Sequence, residues 1–136
     1  MRAAKVDKNQ PVVVAALRAL GFKVQPTHVI GRGVPDFIVQ GESHDSCRLM
    51  WIELKCAGGK LTPDEREWLD DWSAGRGYVT VAVAYNVRDI LACFLWTHDR
   101  ISKALHTIQE WPTVKRALAD ARRKYGEIDD ILESLL

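Results

Sequence analysis

Two hydrophobic periods alternate along this chain, and their order predicts its architecture. Val12 to Leu20 is an apolar run of helical length, opened by Pro11 and closed by Gly21. Proline is tolerated in a first turn and glycine ends helices readily, so one helix is expected here. Asp7-Lys8-Asn9-Gln10 before it has capping-box spacing with Asp7 as N-cap. Three consecutive valines are poor helix formers, and their number predicts burial against a sheet. Phe22-Lys23-Val24-Gln25 then alternates apolar and polar as a strand does, with Pro26 at an edge or bend and His28-Val29-Ile30 as a continuation. Phe37-Ile38-Val39 and Trp51-Ile52-Glu53-Leu54 are two further strand-type runs, joined as a hairpin through the polar stretch from Gly41 to Arg48.

The second half returns to helical spacing. Thr62-Pro63-Asp64-Glu65 combines a threonine N-cap, proline at the first helical position and glutamate three residues after the cap. The helix it starts should run to about Ser73, with Trp68, Leu69 and Trp72 as a core-facing stripe. Gly75-Arg76-Gly77 breaks it, and Tyr78 to Tyr85 reads as a mostly buried strand. A strand, helix, strand connection is a crossover, so this last strand should lie parallel to the one bearing Glu53. Asn86 caps a short helix that places Val87, Ile90, Leu91 and Phe94 on one side. Asp99 is the expected cap of a helix to about Gln109, and Pro112 starts another. From Trp111 through Val114, Leu118, Ala121, Tyr125, Ile128, Leu132 and Leu135 the apolar spacing is three and four in turn, a heptad-like seam that Gly126 interrupts.

These elements predict an α/β protein of αβββαβ order, a mixed sheet flanked by helices, with a helical C-terminal extension. A chain of 136 residues is long enough for one hydrophobic core. Residues 1–98 form the expected core unit, and 99–136 an extension packed on it or forming a homodimer contact.

Charge sits where a buried strand should have none. Asp36 opens one strand, while Glu53 and Lys55 share a face of the next because alternate strand residues point the same way. Hairpin pairing brings Asp36 to that face as well, giving two carboxylates and one ammonium at one spot. Crowded carboxylates repel, and oxygen ligands suit a hard divalent ion such as Mg2+ or Mn2+ that keeps waters for a phosphate to displace. A lysine beside such an ion can orient or deprotonate water, or neutralise charge building on phosphorus. The competing reading is a surface hairpin with an ordinary cross-strand ion cluster.

Net charge is only +1, which argues against a broadly cationic DNA-coating protein. Its distribution says more: residues 1–60 hold nine Lys and Arg against five Asp and Glu, and residues 61–136 hold ten against thirteen. The candidate site lies in the basic half, as an approach to phosphates requires. Lys60, between the second charged strand and a helix N-terminus, is the leading candidate for a phosphate contact. Arg32, in the Gly31-Arg32-Gly33 turn, and Lys5 and Lys8, near the N-terminus, are the other candidate DNA contacts. Gly59-Lys60 is not a P-loop, since Leu54 and Leu61 stand where glycine and a hydroxyl are needed. Three cysteines without a secretory or membrane-spanning segment suggest free thiols and a cytoplasmic location. His44, Cys47 and Cys56 match no common zinc spacing.

Gly33-Val34-Pro35-Asp36, then Ile52-Glu53-Leu54-Lys55, then Gly58-Gly59-Lys60-Leu61-Thr62-Pro63 leading into an amphipathic helix resembles the PD-(D/E)XK nuclease superfamily. It is most similar to the small VRR-NUC and Holliday-junction-resolvase-like branch found in phages and archaea. The resemblance runs from about Asp7 to about Phe94. It implies a restriction-endonuclease-like core and metal-dependent hydrolysis of duplex or branched DNA. Asp36 and Glu53 would then hold the metal with the Leu54 carbonyl as a further ligand, and Lys55 would serve catalysis. The family often carries a glutamate on its first helix; Gln10 is the nearest counterpart here, and its neutral amide would weaken any second metal site. Glu65 stands where the family commonly has glutamine, and capping accounts for it without a catalytic role. His28 reads as a packed or surface histidine. The resemblance also admits a module on a nuclease fold that grips DNA or an assembly partner without cutting.

Overall fold

The computed structural model describes residues 10–43, 46–55, 59–73 and 80–125. Helix α1 (Gln10–Ala19) leads into strand β1 (Lys23–Pro26), then β2 (Phe37–Glu42) and β3 (Cys47–Leu54). Helix α2 (Pro63–Ser73) crosses to β4 (Val81–Ala84), and α3 (Val87–Cys93), α4 (His98–Ile108) and α5 (Pro112–Tyr125) complete the described chain. The four strands form one mixed sheet in the order β1-β2-β3-β4. The first three are mutually antiparallel, and β4 runs parallel to β3 as the crossover requires.

Local chemistry explains the first turns. Gly21 takes φ 92°, and the N–H of Phe22 donates to the carbonyl of Leu17 while that of Gly21 donates to Arg18. This is a Schellman stop that satisfies the last carbonyls of α1. β2 and β3 extend further than their apolar runs suggest, since Gly41 pairs with Arg48 and Glu42 with Cys47. Gly41 is required there: a Cβ would lie 2.1 Å from the Phe22 ring. His28–Ile30, expected as strand, instead form a 3-10 turn. The amides of Thr27 and His28 both donate to the Asp36 carbonyl, which curls the chain away from the sheet edge.

The two faces of the sheet differ. Val24, Phe37, Val39, Met50, Ile52, Leu54 and Ala84 point to one side and join Val12, Val13 and Leu17 of α1 in the core. The same cluster takes in Ile101, Leu105 and Ile108 of α4 and Val114, Leu118 and Ala121 of α5. Val114, Leu118 and Ala121 of the seam are therefore spent inside the chain, with α5 packed on α1, while Trp111 stays 44% exposed. Asn86 caps α3, accepting from the Asp89 amide at 2.9 Å. Thr97 rather than Asp99 caps α4, accepting from the Arg100 amide. Asp99 lies within the first turn and pairs with Lys103 instead.

On the other face, α2 contributes no residue to the core. Trp68 and Leu69 are half-buried and Trp72 is 48% exposed, so the expected core stripe is a surface ladder. Trp51 of β3 meets Trp68 at 5.4 Å, and Trp68 stacks on Trp72 at 5.2 Å. One short helix cannot cover this face, and the rings cover one another instead. β4 is an edge strand whose Val83 is 38% exposed, not a mostly buried one. Tyr78, Val79, Lys5, Lys8, Asp7, His44, Cys56 and the seam beyond Tyr125 lie outside the described residues. Among the described residues no helix is long and apolar enough to cross a membrane.

Candidate functional site

Asp36 immediately precedes β2, and Phe37 pairs with Ile52, so one more step of that register sets Asp36 beside Glu53 of the neighbouring strand. Its Oδ2 accepts the Leu54 N–H at 2.7 Å, which takes over the ladder where β2 has run out. Amide and carbonyl of one strand residue leave the strand on the same side, so the Leu54 carbonyl faces the Asp36 side too. Lys55 follows, its own N–H held by the Ala84 carbonyl of β4 at 2.9 Å. Its Nζ lies 3.4 Å from Glu53 and 2.7 Å from Glu65. Asp36, Glu53 and Lys55 thus meet at one end of the sheet, on the face opposite the core.

Glu65 is the residue that sequence reasoning left out. Its Oε2 accepts the Thr62 N–H at 3.0 Å while the Thr62 Oγ1 accepts the Glu65 N–H, a complete capping box. The other carboxylate oxygen accepts from Lys55 Nζ at 2.8 Å. A carboxylate has two oxygens, so capping leaves room for a second task. Capping fixes the first turn of α2, and that turn fixes Glu65 over Lys55.

The loop before Asp36 completes the frame. Gly33 takes φ 79°, and a Cβ on it would stand 2.1 Å from the Asp64 carbonyl oxygen. Only glycine lets this loop touch the start of α2 so closely. Arg32 also takes a positive φ of 56° and is exposed on that loop. Lys60 is exposed just before α2. Both flank the N-terminal turn of α2, and among the described residues neither is tied into the carboxylate cluster by a direct contact.

Gln10 enters from the core side. It is 3% exposed at the start of α1, and its Nε2 lies 3.1 Å from Nδ1 of His28. His28 in turn hangs from the Asp36 carbonyl by its backbone. His28 is therefore a half-buried partner of Gln10 and not an isolated surface group. Among the described residues the buried Gln10 Oε1 has no hydrogen-bond partner.

Electrostatics set the protonation states. Glu53 is 4% exposed, and its pKa is pushed from 4.5 to about 8. Burial is the main cause, followed by the charges of Asp36 and Glu65, against which Lys55 pulls only in part. Burial works to lower Lys55, but the hydrogen bond to Glu65 and the charges of Glu53 and Glu65 together raise it. Lys55 is thus a firm ammonium. It suits charge neutralisation and orientation of water better than proton abstraction.

Three carboxylates and one ammonium leave an excess of negative charge in a secluded place. Among the described residues no three His, Cys, Asp or Glu converge as a ready metal cage. The available donors are the carboxylates of Asp36 and Glu53 and the Leu54 carbonyl. One or two carboxylates with retained waters is how magnesium is commonly held, so the set fits a hard divalent ion. Comparison with protein-family models, with curated proteins and with solved structures found no match to this chain.

Proposed function

We propose that this chain is a divalent-metal-dependent endonuclease that hydrolyses DNA phosphodiester bonds, acting on duplex or branched DNA through a restriction-endonuclease-like core. The observation that carries the reading is the buried Asp36–Glu53 pair on adjoining strands with the Lys55 ammonium against it. A plain surface ion cluster would not bury two carboxyl groups side by side, because burial of each in its ionised form is unfavourable. The order α1, β1, β2, β3, α2, β4 supports the reading, being the αβββαβ order that the resemblance implies. Asp36, Glu53 and the Leu54 carbonyl would hold Mg2+ or Mn2+. The bound ion would activate water and polarise the scissile phosphate. Lys55, kept protonated by Glu65, offsets charge developing on phosphorus. By the resemblance Gln10 would support the site from the first helix, and Lys60 and Arg32 would flank the path of the backbone.

The test is cleavage of linear, nicked, flapped and four-way DNA with magnesium and with manganese. Wild type should nick at least one of these. Asp36→Ala and Lys55→Ala should lose cleavage by at least a hundredfold while retaining a cooperative thermal transition. The second reading, a DNA-binding module that does not cut, is favoured by one observation: the first helix supplies Gln10 and no carboxylate. It prevails if purified wild type cuts none of the substrates with either ion.

A further inference from the structure

Charge on this molecule is segregated by layer. α2 carries Asp64, Glu65, Glu67, Asp70 and Asp71 against a single Arg66. α5 carries Lys115, Arg116, Arg122, Arg123 and Lys124 against a single Asp120. The two helices sit on opposite faces of the sheet, α2 through Trp68 on Trp51 and α5 through its packing on α1. Burial of Val114, Leu118 and Ala121 fixes which way α5 is turned, and all five of its cations are exposed.

Their spacing is regular. Lys115 and Arg122 are seven residues apart, as are Arg116 and Arg123, so each pair lies on one side of the helix two turns apart. Two turns rise about 10.5 Å, close to three base-pair steps of about 3.4 Å along the duplex axis. The helix dipole favours cations in the last turn, which accounts for part of the pattern. It does not account for Lys115 and Arg116, which stand near the positive end.

The direction of α5 gives the pattern a place. Trp111, just before α5, lines the same groove as Ala19 and Leu20 at the end of α1. α5 therefore starts beside the C-terminal end of α1 and, packed along it, runs back toward Gln10. Its last turn comes out on the side of Gln10 and His28, which leads to Asp36.

We propose that the exposed basic face of α5 is a DNA-backbone-binding surface, holding phosphates of a strand that flanks the hydrolytic site. The choice of DNA as partner rests on the endonuclease reading. Lys115 already pairs with Glu110 at 2.8 Å, and Arg123 pairs with Asp120. Exposed pairs of this kind contribute little, and a phosphate replaces such a carboxylate readily.

The test is fluorescence anisotropy of a labelled DNA duplex of about 20 base pairs in EDTA, where nothing is cut. The combined variant Arg116→Gln, Arg122→Gln and Arg123→Gln should weaken binding at least tenfold. It should also flatten the dependence of log K on log salt by about two to three, since each lost phosphate contact removes about 0.9. Glutamine keeps helix propensity and touches no buried residue, and Arg122→Gln alone gives a smaller loss of the same kind should the combined variant melt early. Lys103→Gln, which removes a charge from α4 beside the groove at the far end, should change affinity less than twofold. The proposal falls if the combined variant binds like wild type with the same salt slope, or if wild type does not bind duplex. Binding through α5 without cleavage by wild type removes the endonuclease reading and leaves this surface. Cleavage by wild type with undiminished binding by the variants does the reverse.

Discussion

Glu53→Gln should stabilise the metal-free protein, and the gain should grow with pH. Glu53 is buried beside Asp36 and Glu65, and its proton is held up to about 8 against an ordinary 4.5. Below pH 4.5 the folded and unfolded chains both carry that proton, so the residue adds no pH dependence. Between 4.5 and 8 the unfolded chain releases it while the folded chain keeps it. The unfolded state then binds fewer protons, and stability falls as pH rises, levelling off above 8. At about 1.4 kcal/mol per tenfold change in proton affinity, the penalty at pH 9 is on the order of 5 kcal/mol. Glutamine keeps the shape without the charge but gives up the contact with Lys55, so a net gain of roughly 2–4 kcal/mol is expected. For a chain of this size that is a rise in Tm of about 10 °C.

The assay is thermal unfolding of wild type and variant in EDTA from pH 5 to pH 9. The two melting curves should nearly coincide at pH 5 and separate steadily towards pH 9. Other titrating groups are common to both proteins and cancel in the difference. Adding magnesium at pH 9 should close part of the gap, because a divalent ion stabilises the carboxylate and not the amide. A Tm difference that is constant across pH, or a wild type that gains on the variant as pH rises, would refute the desolvated carboxyl and with it the reason for expecting a cation.

Two further changes probe the frame around the cluster. Gly33→Ala should lose roughly 2–4 kcal/mol, since its Cβ would meet the Asp64 carbonyl at 2.1 Å at a φ of 79°. Gly31→Ala, at φ 70° with open space around it, should lose only about 1 kcal/mol by denaturant titration, and equal losses would contradict the close approach. Thr62→Ala should lower stability by about 1 kcal/mol by removing the N-cap oxygen. It should leave cleavage within a few-fold of wild type, because Glu65 still holds Lys55 from its own side chain.

Much of the frame is written in short-range patterns. The Thr62-Pro63-Asp64-Glu65 cap, the Gly21 stop and the Asn86 cap depend on groups within a few residues of one another, so the folded chain uses them as the sequence indicates. Alternation along β2 and β3 sets which side chains share a face, and it places Glu53 and Lys55 together before any tertiary contact is known. Expectations failed where a local pattern had more than one use. His28-Val29-Ile30 has strand composition, but two amides drawn to the Asp36 carbonyl turn it into a 3-10 turn. Thr97 and Asp99 are both good caps, and only the path out of α3 selects the threonine. Trp68 and Trp72 form an apolar stripe in either setting. Whether they enter the core depends on how much of the sheet α2 covers.

The sequence by itself determined the order of the sheet-forming elements, the β2–β3 hairpin, the parallel sense of β4 and the identity of the charged residues, because these follow from periodicity, caps and connection length. Only the tertiary structure decided how deeply Glu53 is buried, that Glu65 clamps Lys55 and that α5 packs along α1. Those properties come from distances between residues far apart in the chain. Burial and charge act through space, and no pattern along a single strand or helix encodes what will be folded against it.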